Sequence, residues 1–262
     1  NNHIGVPLTL LSAPDDAAFL VVEMGANHMG EITALCAATM PTHGIITNIG
    51  TAHIEGFGSF ENVRKAKSEL YQSLRENNGT AIYNDDNPVL CELVSGMTNT
   101  VPYSAPGGHT LSATPAGDDL MLLEVKAVID GREHCFKTEL FGSYNLDNVR
   151  AAMATGLLFG IPEGEIIDAV SSYKPSNNRS QVTETGRNTV IRDAYNANPS
   201  SMEKALASFA ALKAGKKMVI LGDMLEMGSE SAHGHAAVIR QLRSIGDVRV
   251  VLVGPLFREA AA

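Results

Sequence analysis

Basic segments, long apolar runs and paired cysteines are all scarce in this chain of 262 residues. Lysine and arginine number 20 against 29 aspartates and glutamates, which gives a net charge of -9. A nucleic-acid or anionic-membrane surface is therefore not expected as the main function, and no basic run argues otherwise. No uninterrupted apolar segment reaches the roughly 18 residues that a membrane-spanning helix needs. The composition thus predicts a protein without a membrane span.

The three cysteines are Cys36, Cys91 and Cys135, and none of them forms a C-x-x-C pair. A zinc or disulfide framework is not predicted, and their apolar neighbours favour reduced, buried thiols. The first residues lack the basic stretch and apolar segment of a signal peptide. We therefore expect a cytoplasmic location.

A complete phosphate-binding loop is also missing from these residues. The sequence Gly215-Lys216 comes nearest to G-x-x-x-x-G-K-[ST], but Lys217 follows it and Ala210 stands where the first glycine belongs. That loop cradles phosphates with its backbone N–H groups. A nucleotide site in this chain would need other residues.

Strand-like and helix-like segments alternate over the first hundred residues, in the βαβ pattern of a parallel sheet. The predicted strands are 18–24, 43–49 and 80–83, and the predicted helices are 30–39, 60–74 and 88–95. From 98 to 140 the apolar period becomes two, with glycine-rich turn signals, which predicts an antiparallel meander of three or four strands.

The second half returns to helices and then to a second α/β unit. Helices are predicted at 142–159 and 161–172, a linker at 173–178, strands at 181–184, 189–193, 217–221 and 248–253, and further helices at 200–213 and 231–244. The fold class is thus α/β, with a mostly parallel sheet plus antiparallel strands in residues 1–173. A partial Rossmann-like α/β domain is expected in residues 174–262.

A run of short polar side chains follows one strand of the second unit directly. Asp193 closes the strand, and Asn196, Asn198 and Ser200 lie beside the start of the helix at Pro199. Strand ends that lead into helices are where α/β proteins bind ligands, and a helix N-terminus favours a phosphate or carboxylate. The same run also suits a capped turn, with Asn198 or Ser200 as the N-cap.

Three features with four chemically active side chains lie near strand ends of the first unit. Glu23 ends an apolar strand, His53 follows the next strand among glycines, and Lys65 and Lys67 lie on the following helix. A carboxylate, an imidazole and retained waters would suit a Mg²⁺ ion that also touches nucleotide phosphates. The alternatives are a capping acid, a loop histidine and a solvated lysine.

Read together, these segments resemble the Mur ligase family, whose members are ATP-dependent amide-bond ligases. The resemblance rests on residues 2–9, on Glu23-Met24-Gly25-Ala26-Asn27, on Ala52-His53-Ile54-Glu55-Gly56-Phe57, on residues 193–199, and on residues 221–228 followed by His235. It implies the family's ATPase-type central domain and its C-terminal domain. It also implies addition of D-alanyl-D-alanine to UDP-N-acetylmuramoyl-tripeptide through an acyl phosphate, with ATP and Mg²⁺, in peptidoglycan precursor synthesis by a monomer.

Carried over position by position, the resemblance assigns roles to single residues. Glu23 and His53 would hold Mg²⁺ together with Lys67, if that lysine is carbamylated, and these three are the candidate catalytic residues. We prefer Lys67 to Lys65 because the family places the modified lysine three residues before a pair such as Leu70-Tyr71. A carbamate supplies anionic oxygens, whereas a bare ammonium would repel the metal.

The remaining implied roles concern the nucleotide and the incoming substrate. The implied ATP-binding residues are Asn2, Asn145, Asn148, Arg179 and Asp193, and the implied substrate-binding residues are Asn196, Asn198 and Ser200. Asn145 could instead be a helix N-cap, and Arg179 a plain linker arginine.

The chain departs from the family pattern at both ends. The resemblance implies a UDP-sugar domain and a phosphate-binding loop before Asn1 and the end of the C-terminal domain after Ala262, so we expect a fragment that is inactive alone. Two alternatives stay open: a related ligase, of the folylpolyglutamate type or another, that adds a single amino acid, and a non-catalytic nucleotide-binding module.

Overall fold

The computed structural model describes residues 1–50, 54–117, 121–176 and 178–262. It divides into two compact units, Asn1–Pro102 and Tyr103–Ala262. The first unit contains helices α1 (Gly5–Ser12), α2 (Glu31–Thr39), α3 (Ile54–Phe57), α4 (Phe60–Glu76) and α5 (Pro88–Val94) and strands β1 (His43–Ile45), β2 (Thr80–Tyr83) and β3 (Thr100–Pro102). The three strands form a parallel sheet in the order β1-β2-β3.

Helix α4 shows why this unit folds as the sequence predicts. Ser59 caps it by accepting a hydrogen bond from Asn62 N at 3.2 Å. Its buried side chains include Val63, Ala66 and Leu74, at the spacing of one helix face. The predicted helix at 60–74 is thus confirmed.

Two predicted strands of the first unit differ from the structure. Residues 18–24 were expected as a strand, but the segment forms no strand among the described residues, and Val21 is 91% exposed. Val22 and Met24 nevertheless pack on α2, which explains the apolar pattern. The strand predicted at 43–49 ends at Ile45, because Ile46 N donates to the Tyr71 hydroxyl at 3.2 Å instead of to a neighbouring strand.

The meander is confirmed with three antiparallel strands, β4 (Leu111–Ala116), β5 (Leu122–Ile129) and β6 (Arg132–Phe141). The turn at Asp130-Gly131 has positive φ at both residues (48° and 80°), as a tight two-residue hairpin requires. Strand β3 was expected to belong to this meander. It pairs in parallel with β2 instead, because α5 carries the chain back to the same sheet edge.

The rest of the second unit comprises α6 (Leu146–Leu158), α7 (Glu163–Ser172), β7 (Gln181–Glu184), β8 (Thr189–Arg192), α8 (Pro199–Ala211), β9 (Lys217–Gly222), α9 (Ser231–Ser244), β10 (Val248–Val253) and α10 (Pro255–Ala261). Strands β7 and β8 form an antiparallel pair, and β9 and β10 a parallel pair. One apolar cluster, which includes Met224, Val238 and Phe257, packs the β9–β10 pair against the helices. The expected mixed α/β fold is confirmed.

Helices α1, α3 and α10 were not predicted, because each is short and contains proline or glycine. The three cysteines are free thiols, as expected. Only Cys36 is buried; Cys135 is exposed because it lies on the outer face of β6. Among the described residues, no helix is both long and apolar enough to cross a membrane.

Candidate functional site

Glu23 is an exposed carboxylate that the chain's first residue holds in place. Asn1 Nδ2 donates to Glu23 Oε1 at 3.0 Å, and Gly25 N donates to Asn1 O at 2.6 Å. These two bonds fasten the extended segment around Glu23 to the start of the chain. Within the part of the chain that the structure describes, the bond from Asn1 is the side-chain hydrogen bond that Glu23 makes, and Glu23 caps no helix there.

Lys67 lies on α4 and points its amine at a backbone carbonyl. Its Nζ donates to Asn48 O at 2.9 Å. Partial burial removes water from the amine, and this desolvation lowers the pKa of Lys67 from its usual 10.5. Lys67 is thus less solvated than an ordinary surface lysine, and a larger fraction of its amine is neutral at a given pH than on an exposed side chain.

A small apolar cluster brings the segments of these two residues together. Phe57, Val63 and Ala66 are buried in it, and Ala26 and Ile49 pack against them. Ala26 follows Glu23 by three residues, Ile49 follows Asn48, and Ala66 precedes Lys67. The cluster thus joins the loop after Glu23, the loop after β1 and the middle of α4 on one side of the first unit.

A close backbone approach tightens the same region. A Cβ atom on Gly56 would stand 2.6 Å from Asn27 O, so only glycine allows α3 to lie this near the loop that follows Glu23. Glu31 orders that loop by accepting from Asn27 N at 2.7 Å and His28 N at 3.2 Å. The hydrogen bond from Asn27 lowers the pKa of Glu31, which keeps this carboxylate charged.

His53 falls outside the described residues, so its predicted place beside Glu23 stays a prediction. Within the described residues, no group of three or more histidine, cysteine or acidic side chains could hold a metal ion. Asn2, expected at the adenine, uses its Oδ1 to accept from Ile4 N at 3.1 Å and Gly5 N at 2.9 Å at the start of α1.

The predicted nucleotide ligands of the second unit include two linked asparagines. Asn145 is buried; its Nδ2 donates to Phe141 O at 2.8 Å, and its Oδ1 accepts from Asn148 Nδ2 at 2.9 Å. Asn145 stands at the N-cap position of α6, but its side chain does not cap the helix. The pair instead ties the end of β6 to the first turn of α6.

Asp193 and Arg179 lie close to one another through Ser180. Ser180 N donates to Asp193 Oδ1 at 3.2 Å, and the Arg179 guanidinium stacks 3.9 Å above the Tyr195 ring. Stacking leaves the N–H edges of a guanidinium available to an anion. Arg179 is therefore oriented by its surroundings, unlike a plain linker arginine.

Asn198, rather than Ser200, is the N-cap of α8. Its Oδ1 accepts from Ser201 N at 2.9 Å, and Ser201 Oγ accepts from Asn198 N at 3.1 Å, which completes a capping box. Asn196 Oδ1 accepts from the next residue's N–H at 2.8 Å. The start of α8 is thus well ordered, as the sequence predicts.

Comparison with known families accounts for most of this chain. The model described as "Mur ligase middle domain" matches residues 1–156, which is more than half of the chain. The chain belongs to the Mur ligase family. The model described as "Mur ligase, glutamate ligase domain" matches residues 178–262 of the same Mur ligase chain.

Two curated relatives of this Mur ligase carry the same name, UDP-N-acetylmuramoyl-tripeptide--D-alanyl-D-alanine ligase. The one from Bacillus subtilis (strain 168) is 36% identical over 230 residues, covering 87% of this chain and 49% of the relative. The one from Escherichia coli (strain K12) is 32% identical over 264 residues, covering 97% of this chain and 57% of the relative. The chain thus spans about half the length of the curated relatives that it matches.

Solved structures give the same picture of the Mur ligase fold. A crystal structure of MurF from Acinetobacter baumannii superimposes with a TM-score of 0.88 at 28% identity, covering 100% of this chain and 57% of that one. A MurF ligase from Thermotoga maritima in complex with ADP gives 0.84 at 26% identity, covering 98% of this chain and 60% of that one.

Sequence reasoning missed two residues that order this Mur ligase's candidate sites. Tyr144 was assigned no role, yet its hydroxyl contacts both Ser180 and Asp193. Glu69 is buried and accepts from Gly30 N at 2.7 Å and Thr33 N at 2.9 Å at the start of α2. The sequence did offer one signal for Glu69, because a charged residue on the apolar side of α4 indicates a buried carboxylate with hydrogen-bond partners.

Proposed function

We propose that the protein containing this chain is an ATP-dependent ligase that joins D-alanyl-D-alanine to UDP-N-acetylmuramoyl-tripeptide. The observation that carries the proposal is the alignment with relatives of this family, together with the packing of the motif-bearing segments in the structure. Relatives with that activity in their names align at 32% and 36% identity, and the segments that carry Glu23 and Lys67 pack on one apolar cluster through Ala26 and Ala66.

In the proposed reaction, the terminal carboxylate of the tripeptide attacks the γ-phosphorus of ATP, and ADP leaves. The amine of D-alanyl-D-alanine then attacks the carbonyl carbon of the acyl phosphate; phosphate leaves with its electron pair, and the nitrogen loses a proton. Most of the protein's task is to position the reactants and to neutralise charge.

The donors of the first unit fit a magnesium ion. Mg²⁺ keeps several waters and needs only one or two carboxylates besides substrate phosphates. Glu23 offers one carboxylate, held in place through Oε1 by Asn1, and we propose His53 as a further ligand. When bound, the ion would neutralise negative charge on the phosphates.

Lys67 fits the proposed magnesium site only if its positive ammonium is converted into a negative group. Its amine is partly desolvated and its pKa is lowered, so the neutral form that reacts with CO₂ is more accessible. The ammonium would lose one proton to give the neutral amine, and addition of CO₂ with loss of a second proton would form a carbamate whose single negative charge is shared by two oxygens. We propose that Lys67, rather than Lys65, carries this modification.

In the second unit we propose that Arg179 and Asp193 bind ATP. The stacked guanidinium of Arg179 is a cation for the phosphates, and the Asp193 carboxylate is an acceptor for ribose hydroxyls. Asn145 and Asn148 border the same region through Tyr144, and Asn2 remains a proposed adenine contact of the first unit.

Asn196, Asn198 and Ser200 are proposed contacts of the incoming dipeptide or of phosphate, at the N-terminus of α8. We also propose the domain division 1–173 and 174–262, a cytoplasmic location and a monomeric enzyme. These assignments follow from the family and from the order of the motifs.

The test is phosphate release by the protein expressed from its complete coding sequence, with Mg-ATP and UDP-N-acetylmuramoyl-tripeptide. Release that requires D-alanyl-D-alanine, with amide product by mass spectrometry, is the expected result. The matched controls replace the dipeptide by single amino acids, including D-alanine and L-glutamate. Release driven by a single amino acid, or none with any acceptor by a folded protein, would overturn the proposal.

A further inference from the structure

Tyr144 lies in the short 3₁₀ turn Ser143–Asn145 that leads into α6. Its ring packs edge-on against Phe141, with 6.2 Å between the ring centroids. Desolvation raises the pKa of Tyr144 to about 12, so its hydroxyl stays protonated at any physiological pH. The side chain is therefore a fixed hydrogen-bonding group with a packed ring.

The hydroxyl of Tyr144 contacts two residues more than thirty positions away in the sequence, and these two residues also bond to each other. It lies 2.6 Å from Ser180 Oγ and donates to Asp193 Oδ2 at 3.3 Å. Ser180 N donates to the other oxygen, Asp193 Oδ1, at 3.2 Å. Both oxygens of this carboxylate thus have a protein donor, and each retains a lone pair for a ligand.

The residues on either side of Arg179 lie in the left-handed region. Asn178 has φ 59° and Ser180 has φ 48°, conformations that cost free energy for residues other than glycine. Asn178 O accepts from Ala194 N at 2.8 Å, and Ser180 is buried between Tyr144 and Asp193. These contacts hold the backbone that aims Arg179 at the Tyr195 ring.

We infer that Tyr144 is a positioning residue that fixes Asp193 and the Asn178–Ser180 backbone for nucleotide binding. The inference rests on the proposed function of Asp193 and Arg179. Two fixed donors orient the Asp193 carboxylate before the nucleotide binds. The entropy cost of ordering this side chain is therefore not subtracted from the free energy of nucleotide binding. Tyr144 itself touches no reacting atom.

The test replaces Tyr144 by phenylalanine in the protein expressed from its complete coding sequence. Tyr144→Phe keeps the ring and its contact with Phe141 but removes the hydroxyl. The KM for ATP should rise about threefold to tenfold, while kcat stays within about twofold, because ground-state positioning is lost rather than chemistry. Tyr173→Phe removes an exposed hydroxyl of the same unit and is the matched control.

Ribose analogues separate positioning from a general structural role. The KM of Tyr144→Phe divided by the KM of the wild type is measured for ATP, for 2′-deoxy-ATP and for 3′-deoxy-ATP. If Tyr144 acts through Asp193, the ratio of variant to wild type should fall towards one for the analogue that lacks the hydroxyl bound by Asp193. An equal ratio for all three nucleotides, an unchanged KM or a loss of kcat alone would overturn the inference.

Ser180→Ala gives an independent result if Tyr144→Phe fails to fold. It removes the other partner of the tyrosine hydroxyl and should raise the KM for ATP with the same dependence on the ribose hydroxyl. If the wild type shows no ligase activity, the proposed function fails by itself. Calorimetry then measures the dissociation constants of the three nucleotides for the variant and the wild type. The same dependence on the ribose hydroxyl supports the inference, and its absence overturns it.

Discussion

Glu23 combines exposure with a fixed orientation, which is unusual for a surface carboxylate. Asn1 donates to one carboxylate oxygen, and within the described residues the other oxygen has no hydrogen-bond partner. The charge of this side chain is therefore available to a cation at little further cost in side-chain entropy. This makes Glu23 the most direct test of the proposed metal site.

We predict that Glu23→Gln lowers kcat/KM for amide formation by at least about 100-fold, the scale of a lost electrostatic contact in a site. The amide keeps the size of the side chain and one oxygen, so the melting temperature should hardly change. Steady-state kinetics over a magnesium series measures the effect. Glu55→Gln, on the neighbouring helix α3, is the control; near-native activity of Glu23→Gln would contradict the metal assignment.

Lys67 and Lys65 differ in burial although they lie two residues apart on the same helix. Lys67 is partly desolvated and has a lowered pKa, whereas Lys65 is exposed. Since only the neutral amine reacts with CO₂, modification should begin at a lower pH on Lys67 than on exposed lysines.

We predict that ¹³CO₂ labels Lys67 as a carbamate and that the label rises with pH at fixed dissolved CO₂. The sign follows because the lowered pKa increases the neutral fraction at each pH below the usual value of 10.5. Carbon NMR of wild type, Lys67→Met and Lys65→Met measures it. Loss of the signal in Lys65→Met with retention in Lys67→Met would reverse the assignment.

Helix α8 is the element whose start matters most to the proposed substrate contacts. Its capping box joins Asn198 to Ser201, and Pro199 occupies the first turn. The capping box fixes the backbone of Asn198 against the first turn of the helix. Stability and site geometry are thus coupled at this position.

We predict that Asn198→Ala destabilises the protein by about 1 kcal/mol, the usual value of a lost N-cap. Asn196→Ala, two residues earlier, should cost less than about 0.5 kcal/mol because Asn196 bonds only its neighbour within the described residues. Urea unfolding followed by circular dichroism compares the two. Equal effects would mean that the capping box contributes nothing specific.

The chain carries a net charge of -9, and within the described residues one face of the parallel pair β9–β10 is apolar and exposed. Met218, Ile220, Val251 and Val253 are all exposed, at 51%, 63%, 39% and 54%, on the side away from the helices. Parallel strands are usually covered on both faces, and an uncovered apolar face of this kind promotes association.

We predict that Ile220→Lys raises the concentration at which this 262-residue chain precipitates, without lowering its melting temperature. The substitution replaces an exposed apolar side chain by a solvated charge. Light scattering across a concentration series measures the threshold. Thr98→Lys adds the same charge on an exposed residue of the first unit; an equal gain from that variant would show that charge alone is responsible.

Local patterns predicted the elements well and the pairing of strands less well. The segment containing Val21 and Val22 has the composition of a buried strand, but a strand also needs a ladder partner, and none lies among the described residues. Likewise, no local signal could reveal that the Tyr71 hydroxyl takes the N–H of Ile46 and ends β1. The candidate site residues were found from motifs, and their roles stay predictions.

The sequence by itself determined the α/β class, the family and the entry into α8, because periodicity, motifs and a capping residue act over a few neighbouring positions. Only the tertiary structure decided that Tyr144 holds Asp193 and that Glu69 caps α2. The partners in these contacts lie 49 and 36–39 residues apart, so no local preference specifies them. They form because packing buries polar groups, and buried polar groups need partners wherever the chain brings them.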